Sequence, residues 1–271
     1  MLILGLAVAS CVRFPEGCNG HVELCDVPFD QVAFAGTHNS MAAAEDEFIG
    51  PNQEFGIDRQ LEDGIRALLL DTYKWNGDLF LCHSTCEIGA TALIPSLRRI
   101  RQFLEEHPGE VLTIIFQDNI SPAETEIAFV ESGLVDFVYT HETGADWPTL
   151  GDMARMGTRV LVTAEASGPP PEWYQHAWDL IFDTNYSFGT IEEFSCDLNR
   201  GSEGNELFLL NHWISNPFSN PIAAAEANSY KVLNERAQTC RTEREHIPNF
   251  VTVDFYDLGD VFQVVDELNG F

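Results

Sequence analysis

The stretch Val32-Ala-Phe-Ala-Gly-Thr-His-Asn-Ser40 joins a short apolar run to a polar turn that contains a histidine. Its first part, Val32–Ala35, is typical of a buried β-strand, and the reactive side chains follow directly after it. The arrangement recurs along the chain, where polar residues follow apolar runs at His38-Asn39, Asp71, His83, Gln117-Asp118-Asn119, Glu165, Asn211-His212 and Asp254. In a parallel barrel the carboxyl ends of the strands share one rim, so we expect these residues to meet at one site.

Strand and helix patterns alternate through the chain. Strands are predicted at Val32–Ala35, Ala67–Leu70, Leu79–Leu81, Val111–Phe116, Val160–Ala164, Leu180–Phe182, Leu207–Leu210 and Phe250–Val253. Helices are predicted around Leu93–Leu104, ending at Pro108-Gly109, and at Ala123–Ser132, Pro221–Gln238 and Asp260–Leu268. This order predicts an α/β fold with a parallel sheet. Without a glycine-rich dinucleotide fingerprint, we expect a single TIM-type barrel over residues 12–271, closed rather than open and doubly wound.

The charge balance excludes some classes of partner. The 271 residues include 14 basic and 43 acidic side chains, which gives a formal net charge of −29. Nucleic acid phosphates repel such a polyanion, so a nucleic-acid partner is excluded. Docking to an anionic membrane through a basic patch is disfavoured for the same reason. We interpret the acidity as a source of solubility.

Seven cysteines indicate an oxidising environment. They stand at positions 11, 18, 25, 82, 86, 196 and 240, without the spacing of a zinc site. Cys18 and Cys25, like Cys82 and Cys86, are close enough to close short loops, which leaves Cys196 and Cys240 for a longer one. We therefore predict three disulfides, with Cys11 left over, in a chain outside the cytosol. The alternative is a cytosolic protein with seven free thiols.

The first eleven residues resemble an export signal. Leu2–Ala9 is an unbroken apolar run, and Ser10 and Cys11 follow it as in a bacterial lipoprotein signal. Residues 1–11 are therefore predicted to be a signal segment, with Cys11 as the lipidated residue. No Lys or Arg precedes Cys11, and the alternative is an ordinary secretory signal. The expected location is secreted, or an outer-surface or periplasmic lipoprotein.

His38 and His83 are the first candidates for catalysis. Histidine titrates near neutral pH, so one ring can act as a base while the other acts as an acid. Cleavage of a phosphodiester needs this pair, because the attacking hydroxyl loses a proton and the leaving oxygen gains one. A single histidine at a strand end is more often structural, but two histidines, each in a polar turn after an apolar run, favour catalysis.

Several motifs resemble one family. Val32–Ser40, Gly64-Ile-Arg-Ala-Leu-Leu-Leu-Asp71 and Leu81-Cys-His-Ser84 resemble the X-region of phosphatidylinositol-specific phospholipase C, an irregular TIM-type barrel that cleaves the phosphodiester of inositol lipids. Cys18-Asn-Gly-His-Val-Glu-Leu-Cys25 and Cys82-His-Ser-Thr-Cys86 resemble its secreted, disulfide-containing relatives, and Pro248–Tyr256 resembles their last barrel strand. The similarity extends from about Cys18 to Asp260.

The resemblance implies roles for individual residues. His38 matches the general base, which deprotonates the inositol 2-hydroxyl, and His83 matches the general acid, which protonates the departing diacylglycerol oxygen. Asp254 matches an aspartate that orients the first histidine.

Three further residues are predicted to contact substrate, each with a structural alternative. Arg66 is the first, and its alternative is an ion pair with a barrel carboxylate. Glu165 is the second, with a salt bridge at the barrel rim as the alternative. His212 is the third, with a hydrogen-bonded core position as the alternative.

The resemblance also implies a calcium ion. The metal-independent bacterial enzymes have an Asp after the first His and an Arg after the second strand, but this chain has Asn39 and Asp71 there. That pair matches the calcium-dependent enzymes, and oxygen ligands suit a hard cation. Gln117 or Asp118 is the third predicted ligand. The sequence departs from the calcium pattern at Leu69, where that pattern has a Glu.

The predicted function is that of a phospholipase C-type phosphodiesterase, acting as a monomer on a phospholipid at a membrane surface. One alternative is a metal-dependent enzyme of the sphingomyelinase D or glycerophosphodiesterase kind. Those families have a Glu-x-Asp metal pair after the second strand, and this chain has Leu69 in place of the Glu, which counts against them. Another alternative is an inactive protein that binds inositol lipid. The headgroup stays open, and analogy with bacterial relatives predicts a cyclic inositol phosphate as product.

Overall fold

The computed structural model describes Phe14, residues 16–215 and residues 218–271. The predicted signal segment 1–11 and the lipidation site Cys11 lie outside these residues. Within the described ranges, no helix combines the length and apolarity needed to cross a membrane.

One curled sheet of eleven strands forms the centre of the molecule. The strands are β1 (Phe34–Thr37), β2 (Ala67–Trp75), β3 (Asp78–Cys82), β4 (Ala90–Ala92), β5 (Leu112–Asp118), β6 (Val138–Tyr139), β7 (Val160–Ala164), β8 (Gln175–His176), β9 (Ile181–Asp183), β10 (Leu207–His212) and β11 (Phe250–Val253). The main path runs β6-β7-β5-β2-β1-β11-β10-β9, and its pairings are parallel. The predicted α/β barrel class is confirmed.

The barrel is irregular along one side. The described residues form no ladder between β6, at one end of the path, and β9, at the other. The expected closure by continuous hydrogen bonding is therefore incomplete on that side. On the opposite side β1 lies between β2 and β11, so the beginning and the end of the barrel sequence are neighbours.

The third strand differs from the prediction because it runs antiparallel to β2. Asn76 and Gly77 have φ of 51° and 92° and connect Trp75 to Asp78, which is the geometry of a tight two-residue hairpin. The short β4 then pairs with β3 in the same sense. The hairpin returns the chain beside β2 and so determines where His83 lies.

Helices flank the sheet. They are α1 (Ile57–Asp63), α2 (Leu93–Glu106), α3 (Pro122–Ser132), α4 (Leu150–Met156), α5 (Ala177–Leu180), α6 (Pro221–Ala227), α7 (Tyr230–Arg244) and α8 (Val261–Asn269). The single helix predicted over Pro221–Gln238 is two helices. Between them Nδ2 of Asn228 donates hydrogen bonds to the backbone oxygens of Asp254 (2.8 Å) and Phe255 (3.3 Å), which interrupts the helix beside the end of β11.

The central strands are buried on two faces, and side chains alternate between two apolar clusters. The outer cluster joins strand residues to helix α2 and includes Leu68, Leu70, Ile114, Phe116, Phe208, Leu210, Leu97 and Ile100. The inner cluster fills the enclosed side of the sheet and includes Phe34, Leu69, Ile115, Leu161, Leu209 and Phe250. Because side chains along a strand alternate with a period of two, each residue two positions beyond an inner residue also faces inward.

The structure forms the three predicted disulfides: Cys18–Cys25, Cys82–Cys86 and Cys196–Cys240. Disulfides are typical of proteins that fold in oxidising compartments. Cys196–Cys240 joins the segment after β9 to helix α7, and Cys82–Cys86 closes a short loop at the end of β3.

Candidate active site

Hydrogen bonds with neighbouring side chains hold the polar turn after β1 in place. The hydroxyl of Thr37 donates to Oε1 of Gln60 at 2.7 Å and lies 2.7 Å from Oγ of Ser40. Asn39 has φ of 46°, a left-handed conformation that asparagine tolerates better than most residues. Nε2 of Gln53 donates to the backbone oxygen of His38. The turn therefore presents His38 and Asn39 in a defined orientation.

His38 is fixed by three neighbours. Its Nδ1 lies 2.9 Å from Oδ1 of Asp254, and the indole of Trp213 stacks on its ring with centroids 3.8 Å apart. Nδ2 of Asn39 donates to Nε2 at 3.0 Å. Because Asp254 is a buried carboxylate that accepts from Nδ1, the proton belongs on Nδ1 and the lone pair on Nε2. This is the tautomer that a general base requires.

Asn52 is a supporting residue that the sequence reasoning missed. It is buried, and its Nδ2 donates to Oδ1 of Asp254 at 3.1 Å. Its Oδ1 accepts a hydrogen bond from Nδ2 of Asn39 at 3.3 Å. Asn52 therefore links Asp254 and Asn39, which both hydrogen-bond to His38, and it orients the amide of Asn39 so that Oδ1 points away from the histidine.

His83 lies beside Asp71. The β2–β3 hairpin pairs Thr72 with Leu81, so the same register brings Cys82 opposite Asp71, and His83 follows directly after it. Nδ1 of His83 lies 3.6 Å from Oδ2 of Asp71, longer than a hydrogen bond. His83 thus sits next to the rim because of an antiparallel hairpin, whereas the strand pattern predicts it at the end of a parallel barrel strand.

A cavity of about 310 Å³ opens at the carboxyl ends of the strands. Its lining residues are His38, Asn39, Leu69, Leu70, Asp71, Ile115, Gln117, Glu165, Tyr186, Arg200, Asn211 and Trp213. The site residues predicted from four different strands thus converge on one space. Asp254 and His83 do not line this cavity. Each lies next to a residue that does: Asp254 contacts His38, and His83 lies 3.6 Å from Asp71.

The cavity offers oxygen ligands. Asp71 and Glu165 contribute carboxylates, and Asn39 and Gln117 contribute amides. Nowhere in the described chain do three or more His, Cys, Asp or Glu side chains cluster in a way that could hold a metal ion, so a site here needs the amide oxygens. Oxygen donors of this mixed kind are the ligands that calcium accepts. In donor chemistry, the residues present therefore fit a calcium ion.

Asp118 is the predicted ligand that does not line the cavity. Its Oδ1 accepts a hydrogen bond from the backbone nitrogen of Ala166 at 2.9 Å. Gln117 and Asp118 are consecutive in β5, so they face opposite sides of the sheet. Of the two alternatives for the third ligand, the geometry favours Gln117.

Arg200 is a second residue that the sequence reasoning missed. Its guanidinium donates to Oδ2 of buried Asp183 through Nε at 2.9 Å and to Glu165 through Nη1 at 2.9 Å. The guanidinium also lies 4.0 Å from the ring centroid of Trp178 and 4.6 Å from that of Tyr186. A cation is therefore present in the cavity, but two carboxylates already neutralise it.

Glu165 occupies the position expected for a rim salt bridge and also lines the cavity. Burial raises its pKa above the ordinary value, and the charge of Asp71 raises it further, whereas the ion pair with Arg200 lowers it. The net direction is upward, and burial is the largest cause. An additional cation would lower the free energy of this group of charges.

Arg66 is far from the cavity, at the amino end of β2. Its Nε contacts Oε2 of Glu110 at 2.5 Å, and Nη1 donates to the backbone oxygen of Leu61 at 2.6 Å. The guanidinium also stacks on the ring of Phe103. These contacts correct the expectation of substrate binding and correspond to the structural alternative, an ion pair with a carboxylate.

His212 is in the core and does not line the described cavity. Its Nε2 lies 2.9 Å from the backbone oxygen of Ala227, and Nη1 of Arg236 lies 3.2 Å from its Nδ1. Burial, and then the charge of Arg236, lowers the pKa of His212 from 6.5 to about 3. The expected substrate contact is therefore corrected to that of a neutral core histidine.

Comparison with known families identifies close similarities over most of the chain. The PI-PLC X family model (PI-PLC X 1) matches residues 24–269. A protein of Arthroderma benhamiae described as an uncharacterized secreted protein is 29% identical, with 93% of this chain and 64% of that protein covered. A PI-PLC X domain-containing protein of Arabidopsis thaliana is 30% identical, with 90% and 63% covered. The chain spans a little less than two thirds of these two relatives.

Solved structures share the fold. The phosphatidylinositol-specific phospholipase C of Listeria monocytogenes superposes with a TM-score of 0.67 at 19% identity, covering 91% of this chain and 96% of that one. The F249X mutant of the Staphylococcus aureus enzyme gives a TM-score of 0.62 at 11% identity, covering 90% and 94%. At these identities the likeness establishes the architecture.

Proposed function

The chain belongs to the PI-PLC X family, and we propose that it is a phospholipase C-type phosphodiesterase that cleaves a phosphatidylinositol-like lipid. The observation that carries the proposal is a pair of His–Asp contacts around one cavity: His38 with Asp254, and His83 with Asp71. Two histidines, each beside a carboxylate, can serve as the base and the acid of one reaction.

His38 is the proposed base. Its Nε2 carries the lone pair when Nδ1 donates to Asp254, and in this structure that lone pair accepts a hydrogen bond from Asn39. A substrate hydroxyl in place of the Asn39 contact gives up its proton to Nε2 as its oxygen bonds to phosphorus. Asp254 then stabilises the imidazolium that forms, and Trp213 keeps the ring in plane.

His83 is the proposed acid. As the P–O bond to the lipid oxygen breaks, that oxygen takes a proton from His83. When the attacking hydroxyl is the neighbouring one on the inositol ring, the products are a cyclic inositol phosphate and diacylglycerol. The carboxylate of Asp71 lies 3.6 Å from Nδ1 of His83.

Calcium is the proposed cofactor, with Asn39, Asp71 and Gln117 as ligands and Glu165 at the edge of the site. A bound calcium ion would stabilise negative charge on the phosphate. The support is electrostatic: the chain carries a net charge of −29, and Arg200 is already paired with Asp183 and Glu165. An anionic phosphate entering this cavity needs a further positive charge.

The proposed setting is extracellular, at a membrane surface. Three disulfides support an oxidising environment. The relative from Arthroderma benhamiae is described as a secreted protein. A phosphatidylinositol-like substrate would present its headgroup at the lipid–water interface, within reach of an open cavity at the barrel rim.

The test measures the water-soluble phosphate released from phosphatidylinositol vesicles by wild-type protein and by His38→Ala, with calcium and with EGTA. We expect turnover that requires calcium and is lost in the variant. Turnover that survives EGTA would remove calcium from the proposal and leave the histidine pair. If the wild type releases no phosphate from phosphatidylinositol, sphingomyelin or lysolipids, the enzymatic proposal fails and a lipid-binding protein remains.

A further inference from the structure

His83 occupies a covalently closed loop. Cys82 ends β3 and pairs with Ala90 of β4, and Cys86 follows four residues later. The disulfide between the two cysteines therefore encloses His83, Ser84 and Thr85. Both cysteines are buried, whereas His83 is partly exposed.

The side chain of His83 has little else to orient it. The ring of His38 has a carboxylate, an amide and a stacked indole as neighbours. In contrast, Nδ1 of His83 is buried without a hydrogen-bond partner in the described structure, and its nearest charged group is Asp71 at 3.6 Å. The position of the His83 ring therefore depends on its backbone.

That backbone is in an unfavourable conformation. Ser84 has φ of 62°, in the left-handed region that favours glycine. The backbone nitrogen of Thr85 donates to the backbone oxygen of His83 at 2.7 Å, which closes a three-residue turn around Ser84. Such a turn persists only where the surrounding structure constrains it, and the disulfide directly spans it.

We propose that the Cys82–Cys86 disulfide positions His83 for proton transfer to the leaving oxygen. The inference rests on the proposed function. In the reaction the P–O bond to the lipid oxygen breaks, and that oxygen takes the proton from His83, while the disulfide stays intact throughout. Cys82 and Cys86 are thus positioning residues, and reduction of their disulfide slows the step that needs the acid.

The experiment compares two substrates. Phosphatidylinositol has an alkoxide leaving group that needs a proton, whereas an inositol phosphodiester of p-nitrophenol has a stable phenolate that departs without one. For Cys82→Ser/Cys86→Ser we expect kcat on phosphatidylinositol to fall roughly 10-fold to 100-fold, part of the usual contribution of a general acid, with KM unchanged. On the nitrophenyl substrate kcat stays close to that of wild type.

The matched control is Cys18→Ser/Cys25→Ser. This disulfide also closes a short ring, but it lies at the other end of the barrel, where Asn19 hydrogen-bonds the backbone of Val111 before β5. We expect this variant to keep wild-type kcat on both substrates. Thermal unfolding of both variants reports any general loss of structure.

A second readout is the combination with His83→Ala. If the disulfide acts only through His83, opening it in the His83→Ala background adds no further loss. Equal losses on the two substrates, or additive losses with His83→Ala, would overturn the positioning role while wild-type turnover still upheld the proposed function. A wild type without turnover would instead overturn the function and this inference with it.

Chemical reduction covers the case in which the serine variant does not fold. Wild-type protein is treated with increasing thiol reductant, and mass spectrometry after alkylation identifies which disulfide has opened. Loss of turnover on phosphatidylinositol alone that follows the opening of Cys82–Cys86 supports the inference. Loss that follows the opening of Cys196–Cys240 or Cys18–Cys25 contradicts it.

Discussion

Asp71 and Gln117 lie directly opposite each other in the parallel β2–β5 ladder, and the next pair is Thr72 with Asp118. Asp71 and Gln117 face the cavity, because they stand two positions beyond the inner residues Leu69 and Ile115. A carboxylate and an amide oxygen therefore meet side by side on the enclosed face. This pairing is the structural basis for choosing between the two candidate ligands on β5.

Gln117→Ala is predicted to weaken activation by calcium. Loss of one ligand oxygen should raise the calcium concentration for half-maximal turnover by roughly tenfold, by analogy with the 10–100-fold effects seen around metal sites. The control is Asp118→Asn, which retains the oxygen that accepts from Ala166. The measurement is a calcium titration of lipid cleavage, and a larger shift for Asp118→Asn would reverse the choice of ligand.

Asp254→Asn is predicted to lower kcat by about 10²–10⁴-fold, because the base loses the carboxylate that fixes its tautomer and stabilises its charged form. Asp266→Asn is the control, since Asp266 contacts His21 at 3.1 Å in a more exposed His–Asp pair away from the cavity. Steady-state kinetics on phosphatidylinositol provide the measurement. Comparable losses in the two variants would show that the effect is not specific to His38.

Arg66→Met is predicted to destabilise the fold and leave catalysis unchanged. The Arg66–Glu110 pair is largely buried, and leaving Glu110 unpaired should cost about 3–5 kcal/mol of unfolding free energy. Addition of Glu110→Gln should recover part of the loss. Urea unfolding measures the stability, and a raised KM at unchanged stability would restore the predicted contact with substrate.

His212 is predicted to make stability depend on pH. Its pKa is about 3 in the fold, against 6.5 for the ordinary side chain. Between these two pH values His212 is therefore protonated in the unfolded chain and neutral in the folded chain. Stability is therefore lost as the pH falls below 6.5, at up to about 1.4 kcal/mol per pH unit. In His212→Gln this dependence is absent. The unfolding free energy of wild type relative to the variant should fall by roughly 2 kcal/mol from pH 7 to pH 5; a constant difference would contradict the assignment.

The period of two along the strands accounts for which site residues the sequence predicted well. His38, Asp71, Gln117, Glu165 and Asp254 stand at even spacings from inner residues of their strands. Asp118 and His212 have the opposite parity, which they share with outer residues such as Phe116 and Leu210, as Arg66 does with Leu68. Parity counted from the apolar residues of each strand therefore places these three residues on the outer face. The rule does not extend to Asn39, which lies in the turn after β1 and lines the cavity.

Other features could not be read from strand patterns. Arg200 and Asn52 come from irregular segments whose partners, Asp183 and Asp254, are 17 and 202 residues away, and no periodicity reports such contacts. The hairpin before His83 did have a signal, because Asn76-Gly77 between two apolar runs is typical of a tight turn. A tight turn at Asn76-Gly77 predicts that β3 runs antiparallel to β2, as the structure shows.

The adjacency of β1 and β11 has a consequence for biosynthesis. His38 and Asp254 are separated by 216 positions along the chain, and the strands that present them pair only after the last strand has emerged from the ribosome. All of the other barrel strands are therefore synthesised before Asp254 can contact His38 and complete the proposed base.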